Sequence, residues 1–326
     1  MLASPASRIA IAAAAVLAML WPCALAGAAA YFQVPDGDWS VAGNWAGGLP
    51  SSTSVASVGT TAGGGVNPAV ARIGADVGAA TGRVNVTVGV EAATAGTVIH
   101  TAGTAYLNPT IGSYGTGSYV HNGGTLMAGQ FVLGKEVSGV GTYSLNDATL
   151  TATGIEVGSW GTGTFSQIGG SVTVSSGTTY NAVILGALNS GASNYGKGTY
   201  NLAGDGVLTI RRATGSFPAP STVLQIGRYG TGTFNIGNAA SGGTVNESGT
   251  TGAAGALSVK HFSAAGYPAG SGGLLNGWGM IDLKGVFTNN GVVRANGYGT
   301  DRTLNISAYS SLSNGVARRT SPAREW

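Results

Sequence analysis

Apolar and polar residues alternate with period two over several stretches of this chain. Val84, Val86, Val88 and Val90 form one such set, Val172 and Val174 a second, Leu208 and Ile210 a third. Alternation bounded by Gly, Asn and Ser predicts short β-strands with one buried and one solvated side. Beyond the first thirty residues no segment carries the 3.6-residue period of an amphipathic helix. A local motif organises the strands: an aromatic residue or Ser, then Gly-x-Gly, then Thr or Ser, then Tyr or Phe. It occupies residues 114–119, 138–143, 160–165, 195–200 and 229–234, with starts 24, 22, 35 and 34 residues apart.

Each copy has the same flanks. An apolar residue followed by Gly lies upstream (Ile111-Gly112, Leu133-Gly134, Val157-Gly158, Leu185-Gly186, Ile226-Gly227). A small or apolar residue followed by an apolar one lies downstream (Thr125-Leu126, Thr149-Leu150, Ser171-Val172, Val207-Leu208, Thr244-Val245). A repeat of this length marks stacked supersecondary units, each burying its apolar side against the next. The expected fold is therefore all-β: a single elongated β-solenoid, parallel β-helix-like, with atypical capping ends. Tyr119, Tyr143, Phe165, Tyr200 and Phe234 are expected to form one internal ladder along it. Insertions in the fourth and fifth units, including Phe217-Pro218-Ala219-Pro220, are expected to project as loops.

Composition supports order. Gly supplies 58 of 326 residues and charged residues only 8%, but apolar residues reach 43%, too many for a solvated tail. Residues 1–30 read as an export signal: Arg8, an apolar run from Ile9 to Leu20, and small-residue cleavage sites after Ala26 or Ala30. Its removal takes away Cys23 and leaves no cysteine for disulfides or thiolate metal sites. It also lowers Lys plus Arg from 15 to 14 against 12 acidic residues, a net charge of +2, which is no footprint for nucleic acid. The mature chain is expected to be secreted or held at the cell surface, without a transmembrane segment.

The expected organisation is a β cap and first coils over 31–106, a repeat solenoid over 107–250, a further β segment over 251–314, and a disordered tail over 315–326. Trp39 and Trp45, which frame Ser40-Val41-Ala42-Gly43-Asn44, read as part of the cap.

The five units, the double-tryptophan opening at 38–45 and the segment 289–299 resemble a group of exported bacterial proteins. These are the Gly-rich β-solenoid repeat proteins that often carry a Pro-Glu-Pro C-terminal sorting tail; the pattern is also similar to autotransporter passenger domains. The resemblance spans most of the mature chain. It implies a secreted or surface-held protein of structural or adhesive role. The sorting tail itself, with its apolar anchor and basic stop, is not present at the end of this sequence.

Candidate chemistry is sparse. Tyr114, Trp160, Tyr195 and Tyr229 hold the same place, just before the Gly-x-Gly step, in four of the five units; Ser138 takes it in the other. If that corner faces solvent they form an aromatic strip that can stack on sugar rings, with extracellular polysaccharide or other surface proteins as partners. The competing expectation is a ladder that only packs turn on turn. The alternative function is a polysaccharide-degrading β-helix enzyme, a lyase or glycosidase, which needs paired carboxylates in one cleft. Its candidates are Asp147 and Asp205, at similar repeat positions, Glu136 and Glu156 near the apolar-Gly step, and Arg211 and Arg212.

Residues 191–198 fall short of a phosphate-binding loop because Gly198 stands where Ser or Thr is required, so no nucleotide is expected. His100, His121 and His261 lack metal-ligand spacing and are expected at surface or turn positions; no metal and no cofactor is expected. The steps Thr162-Gly163-Thr164 and Thr231-Gly232-Thr233 suggest an ice-binding threonine array, but their glycines read as corners, not as a flat strand face.

Overall fold

The computed structural model describes residues 29–176, 183–187, 196–212, 222–237, 244–249, 256–259, 273–277, 279–283, 286–289, 292–295, 304–308 and 311–314. Among these the chain is a parallel β-solenoid, with strands but no α-helix.

One turn of the chain shows how the sequence builds a rung. Strand Val140–Asn146 runs along the first face and ends where Asp147 takes a left-handed conformation (φ 53°). Thr149–Ala152 makes the second face, and Gly154–Val157 the third. A corner at Gly158 then returns the chain to Thr162–Ile168, which pairs in parallel with Val140–Asn146. The first-face strands make a ten-stranded sheet that begins with Asp36–Asp38 and Ala69–Ile73 and ends with Gly273–Gly277 and Val292–Ala295. The other two faces fuse into one nineteen-stranded sheet through Thr104–Ile111. That long strand pairs with Thr125–Ala128 through its first half and with Gln130–Leu133 through its last two residues. Below it the rungs lack a full second face; above it they are triangular. Pairing between the described strands is parallel except where Ala30–Phe32 meets Trp45–Ala46.

The sequence intervals are the rung lengths, since Thr116, Val140, Thr162, Lys197 and Thr231 are successive register partners on the first face. The corner recurs further upstream than the motif does. Gly59 and Gly89 have positive φ like Gly112, Gly134, Gly158, Gly186 and Gly227, so residues 55–100 are already wound as rungs. Gly158 illustrates the need. Its φ of 67° is strained for residues with a Cβ, and a Cβ there would press on the Lys197 carbonyl of the next rung. Down this corner each Gly amide donates to the apolar residue of the rung below: Gly134 to Ile111 (2.9 Å), Gly158 to Leu133 (2.8 Å), Gly186 to Val157 (2.9 Å), Gly227 to Leu185 (2.8 Å). The second Gly of each Gly-x-Gly step meets a different requirement. Gly163 points inward, and a Cβ would strike the Gly158 amide of its own rung.

The interior is continuous. Tyr119, Tyr143, Phe165, Tyr200 and Phe234 are fully buried, and their ring centroids follow one another at 5.4, 4.7, 4.4 and 5.1 Å. Each aromatic contact adds about 0.5–1.5 kcal/mol beyond the area it buries. At the amino-terminal end Trp39 and Trp45 are buried edge to face at 4.7 Å, and Phe32 packs on Trp45 at 4.9 Å. The Trp45 indole N–H donates to the Trp39 carbonyl (2.8 Å), so its polar edge is satisfied as the pair closes the open core. Residues 315–326, expected as a tail, lie outside the described residues, as does His261.

Candidate functional site

The corner that follows the third face carries the sequence-predicted aromatics. In the tight corners of Tyr114, Trp160 and Tyr229, only four residues separate the positive-φ Gly from the inward Gly of the next strand, as in Gly158-Ser159-Trp160-Gly161-Thr162-Gly163. Ser159 and Ser113 turn inward and are buried. The next side chain is directed to solvent: Tyr114 is 52% exposed and Trp160 36%, and in the third corner Tyr229, which follows the half-buried Arg228, is 37% exposed. Tyr195 lies outside the described residues.

The unit in which Ser138 takes the aromatic's place has a longer corner. Its Ser138 hydroxyl curls back and donates to the Tyr114 carbonyl (2.7 Å), and Val137 is left exposed. Over three successive rungs the corner thus presents Tyr114, Val137 and Trp160. Polar groups border it. Lys135 Nζ lies 4.0 Å from Glu136 Oε1, and the Arg228 guanidinium sits over the Tyr229 ring at 5.1 Å.

The carboxylates of the enzyme alternative are divided. Asp147 and Asp205 are exposed on the turn between the first and second faces, two rungs apart. A Cβ on the intervening Gly169 would be wedged against Oδ1 of both, so they flank one glycine. Glu136 is on the aromatic corner, and Glu156 points outward from the third face between Val132 and Ile184. Arg211 is exposed on the second face; Arg212 is placed only by its backbone pairing with Ser176 and Gly249. The structure joins Asp147 to Asp205 but not to Glu136 or Glu156. Among the described residues no group of three or more His, Cys, Asp or Glu side chains is arranged to hold a metal ion. No helix among them is long and apolar enough to cross a membrane.

Two expectations fail. His100 and His121 are not at surface or turn positions but fully buried, with their rings stacked at 4.4 Å and 7°. They face inward because each lies two residues after the ladder position, on the same side of its strand. Each serves a tyrosine of the rung above. Tyr119 hydroxyl meets His100 Nδ1 at 3.2 Å, and Tyr143 hydroxyl meets His121 Nδ1 at 2.7 Å. His100 Nε2 faces the carbonyls of Ala102 (3.0 Å) and Gly103 (3.2 Å); carbonyls only accept, so Nε2 carries the proton and Tyr119 donates to Nδ1. Burial pushes the His100 pKa down. It pushes that of His121 down to about 3, helped by His100 and opposed by the carbonyls of Gly123 and Gly124. Burial likewise raises the pKa of the Tyr119, Tyr143 and Tyr200 hydroxyls.

The second failure concerns the threonines. Thr162-Gly163-Thr164 and Thr231-Gly232-Thr233 lie within strands of the flat first face, not at corners; the glycines point in and the threonines out. Thr97, Ser118, Thr142, Thr164, Thr199 and Thr233 are successive register partners there. Outward threonines also line the second face at Thr125, Thr149, Thr151, Thr173 and Thr209. Strand propensity accounts for threonine in both files.

No family model, no curated protein and no solved structure matches this chain.

Proposed function

We propose that the protein is a non-catalytic, exported structural or adhesive rod of the cell surface or extracellular matrix that holds polysaccharide along its aromatic corner. One observation carries the reading. Tyr114, Trp160 and Tyr229 are exposed at one repeat position, while the aromatics at the ladder position, five residues later in sequence, are buried. A turn that only needed to fold would place a small polar residue there, as the Ser138 corner does. Flat amphipathic rings beside cationic and hydroxyl groups suit sugar rings, which offer apolar faces and a polar edge. Weak contacts repeated on a rigid frame add to useful avidity.

The test is depletion from solution by insoluble polysaccharides, comparing the parent with Tyr114→Ala/Trp160→Ala/Tyr229→Ala. The reading requires that the parent is retained and the triple variant is released. Equal retention, or none by the parent, would overturn it. The Asp147–Gly169–Asp205 arrangement supports a second reading, glycan cleavage. It requires the parent to release new reducing ends or unsaturated products from some polysaccharide, and Asp147→Asn to abolish that release.

A further inference from the structure

We infer that the stretch of the corner between Trp160 and Tyr229 takes an acidic polysaccharide, with sugar rings on the aromatic side chains and sugar carboxylates on Lys197 and Arg228. This rests on the proposed glycan-binding role of the corner. The three corner segments of this stretch, residues 158–162, 186–197 and 227–231, contain two cations, Lys197 and Arg228, and no Asp or Glu. Residues 188–195 add no charge to them. Hydrogen bonds set the cations among the rings. The Lys197 amide donates to the Gly161 carbonyl beside Trp160 (2.8 Å), and the Thr231 amide, two residues after Tyr229, donates to the Gly196 carbonyl beside Lys197 (2.9 Å). Lys197 is thus one rung above Trp160 and one below Tyr229. It is exposed at the edge of the first face, in register between Thr162 and Thr231. The Arg228 guanidinium lies over the Tyr229 ring at 5.1 Å.

Among the described residues neither cation forms an ion pair. The nearest carboxylates in the fold are engaged or face elsewhere. Glu136 is 4.0 Å from Lys135 on the rung below Trp160, and Glu156 points out from the third face. Asp147 and Asp205 lie on the turn at the far end of the first face. A neutral glycan stacked on Trp160 and Tyr229 leaves Lys197 and Arg228 with only water around their charges. A chain whose sugars bear carboxylates meets both, and the planar guanidinium fork of Arg228 matches a carboxylate. The acidic turn repels that same chain, which steers it to the corner and away from the opposite edge of the face.

The experiment offers one sugar backbone in two charge states, polygalacturonate and its methyl ester, each immobilised on agarose, with microcrystalline cellulose as a neutral solid. The parent is expected to be held about tenfold more strongly by the acid than by the ester. It should be released as salt rises from about 0.01 M to about 1 M, which shortens the screening length from about 30 Å to about 3 Å. Lys197→Gln and Arg228→Gln should each weaken retention on the acid about two- to fivefold, and Trp160→Ala by a similar factor. Arg72→Gln, which removes one exposed positive charge four rungs below Thr162, should leave it unchanged. Equal retention on acid and ester, or preference for cellulose, would overturn this inference and leave polysaccharide binding standing. An Arg72→Gln effect as large as that of Lys197→Gln, or no effect of Trp160→Ala, would reveal plain ion exchange and overturn it as well. Retention on none of the three solids would remove both.

Discussion

The buried hydroxyls obey a rule that can be tested by exchange. Tyr119 follows a rung carrying His100, Tyr143 one carrying His121, and Tyr200 one carrying Gln167, whose Oε1 accepts its hydroxyl at 2.7 Å. Phe165 and Phe234 follow rungs carrying Leu145 and Leu202 at the same place. A tyrosine is used only above a polar side chain, and a phenylalanine only above an apolar one. Tyr143→Phe alone leaves His121 Nδ1 buried without its partner, at a cost of about 1–3 kcal/mol. His121→Leu alone strands the Tyr143 hydroxyl at a similar cost. The double variant recreates the Leu145–Phe165 arrangement found one rung higher, and is expected within about 1 kcal/mol of the parent, so the coupling, the two single costs less that of the double, is about 1–6 kcal/mol. Urea unfolding of the four proteins, with amide exchange in strands Thr116–His121 and Val140–Asn146 as a local readout, measures it. Additive single effects would refute the reasoning.

Three further outcomes are expected. The folded-state pKa values of His100 and His121 are depressed, so the unfolded chain binds more protons below the ordinary histidine value of about 6.5. Stability is then fully present above pH about 6.5 and falls as the pH drops below it, for His121 down to about 3, by up to about 1.4 kcal/mol per pH unit for each ring. His121→Gln, which keeps an acceptor for Tyr143 as Gln167 does for Tyr200, should flatten the fall in a pH series of urea midpoints; an unchanged slope would count against the depressed value. Gly158→Ala should lower the unfolding free energy by at least about 1 kcal/mol from its left-handed backbone alone, whereas Gly43→Ala, with open space around it, should be near neutral. Trp45→Ala should cost about 3–5 kcal/mol locally. Exchange protection should then drop in the first rungs and persist beyond Thr162, because a stacked repeat couples mainly to its neighbours; uniform loss would show a different cooperativity.

The winding of the chain was readable because its signals repeat. Five copies of one step set the rung lengths, and period-two alternation told which strand positions face inward, as for Tyr143 and Leu150. The first rungs were harder to see: Gly59 and Gly89 keep the positive-φ corner, but no Gly-x-Gly-Thr-aromatic step follows them. The histidines were misplaced because polarity was weighed before parity. His121 is two residues from Tyr119 and so shares its side of the strand, a relation available in the sequence once the ladder was known. The threonines were misplaced because Gly163 was read as a turn, when its role is to let strand and corner approach inside one rung. The aromatic strip was legible as a column, but its exposure depended on how each corner folds, with Ser113 and Ser159 buried before Tyr114 and Trp160, and Val137 was hidden by a two-residue difference in corner length.

The matching of hydroxyl to acceptor also encodes the order in which coils may lie on one another. If the chain wound with one coil skipped, Phe165 would land on His121, Tyr200 on Leu145 and Phe234 on Gln167, each leaving a polar atom stranded in the dry interior. Glycine corners and greasy ladders are alike from copy to copy and would tolerate such a slip. The order of Tyr and Phe makes most neighbouring coils distinguishable, and gives a nearly uniform spring a preferred way to close.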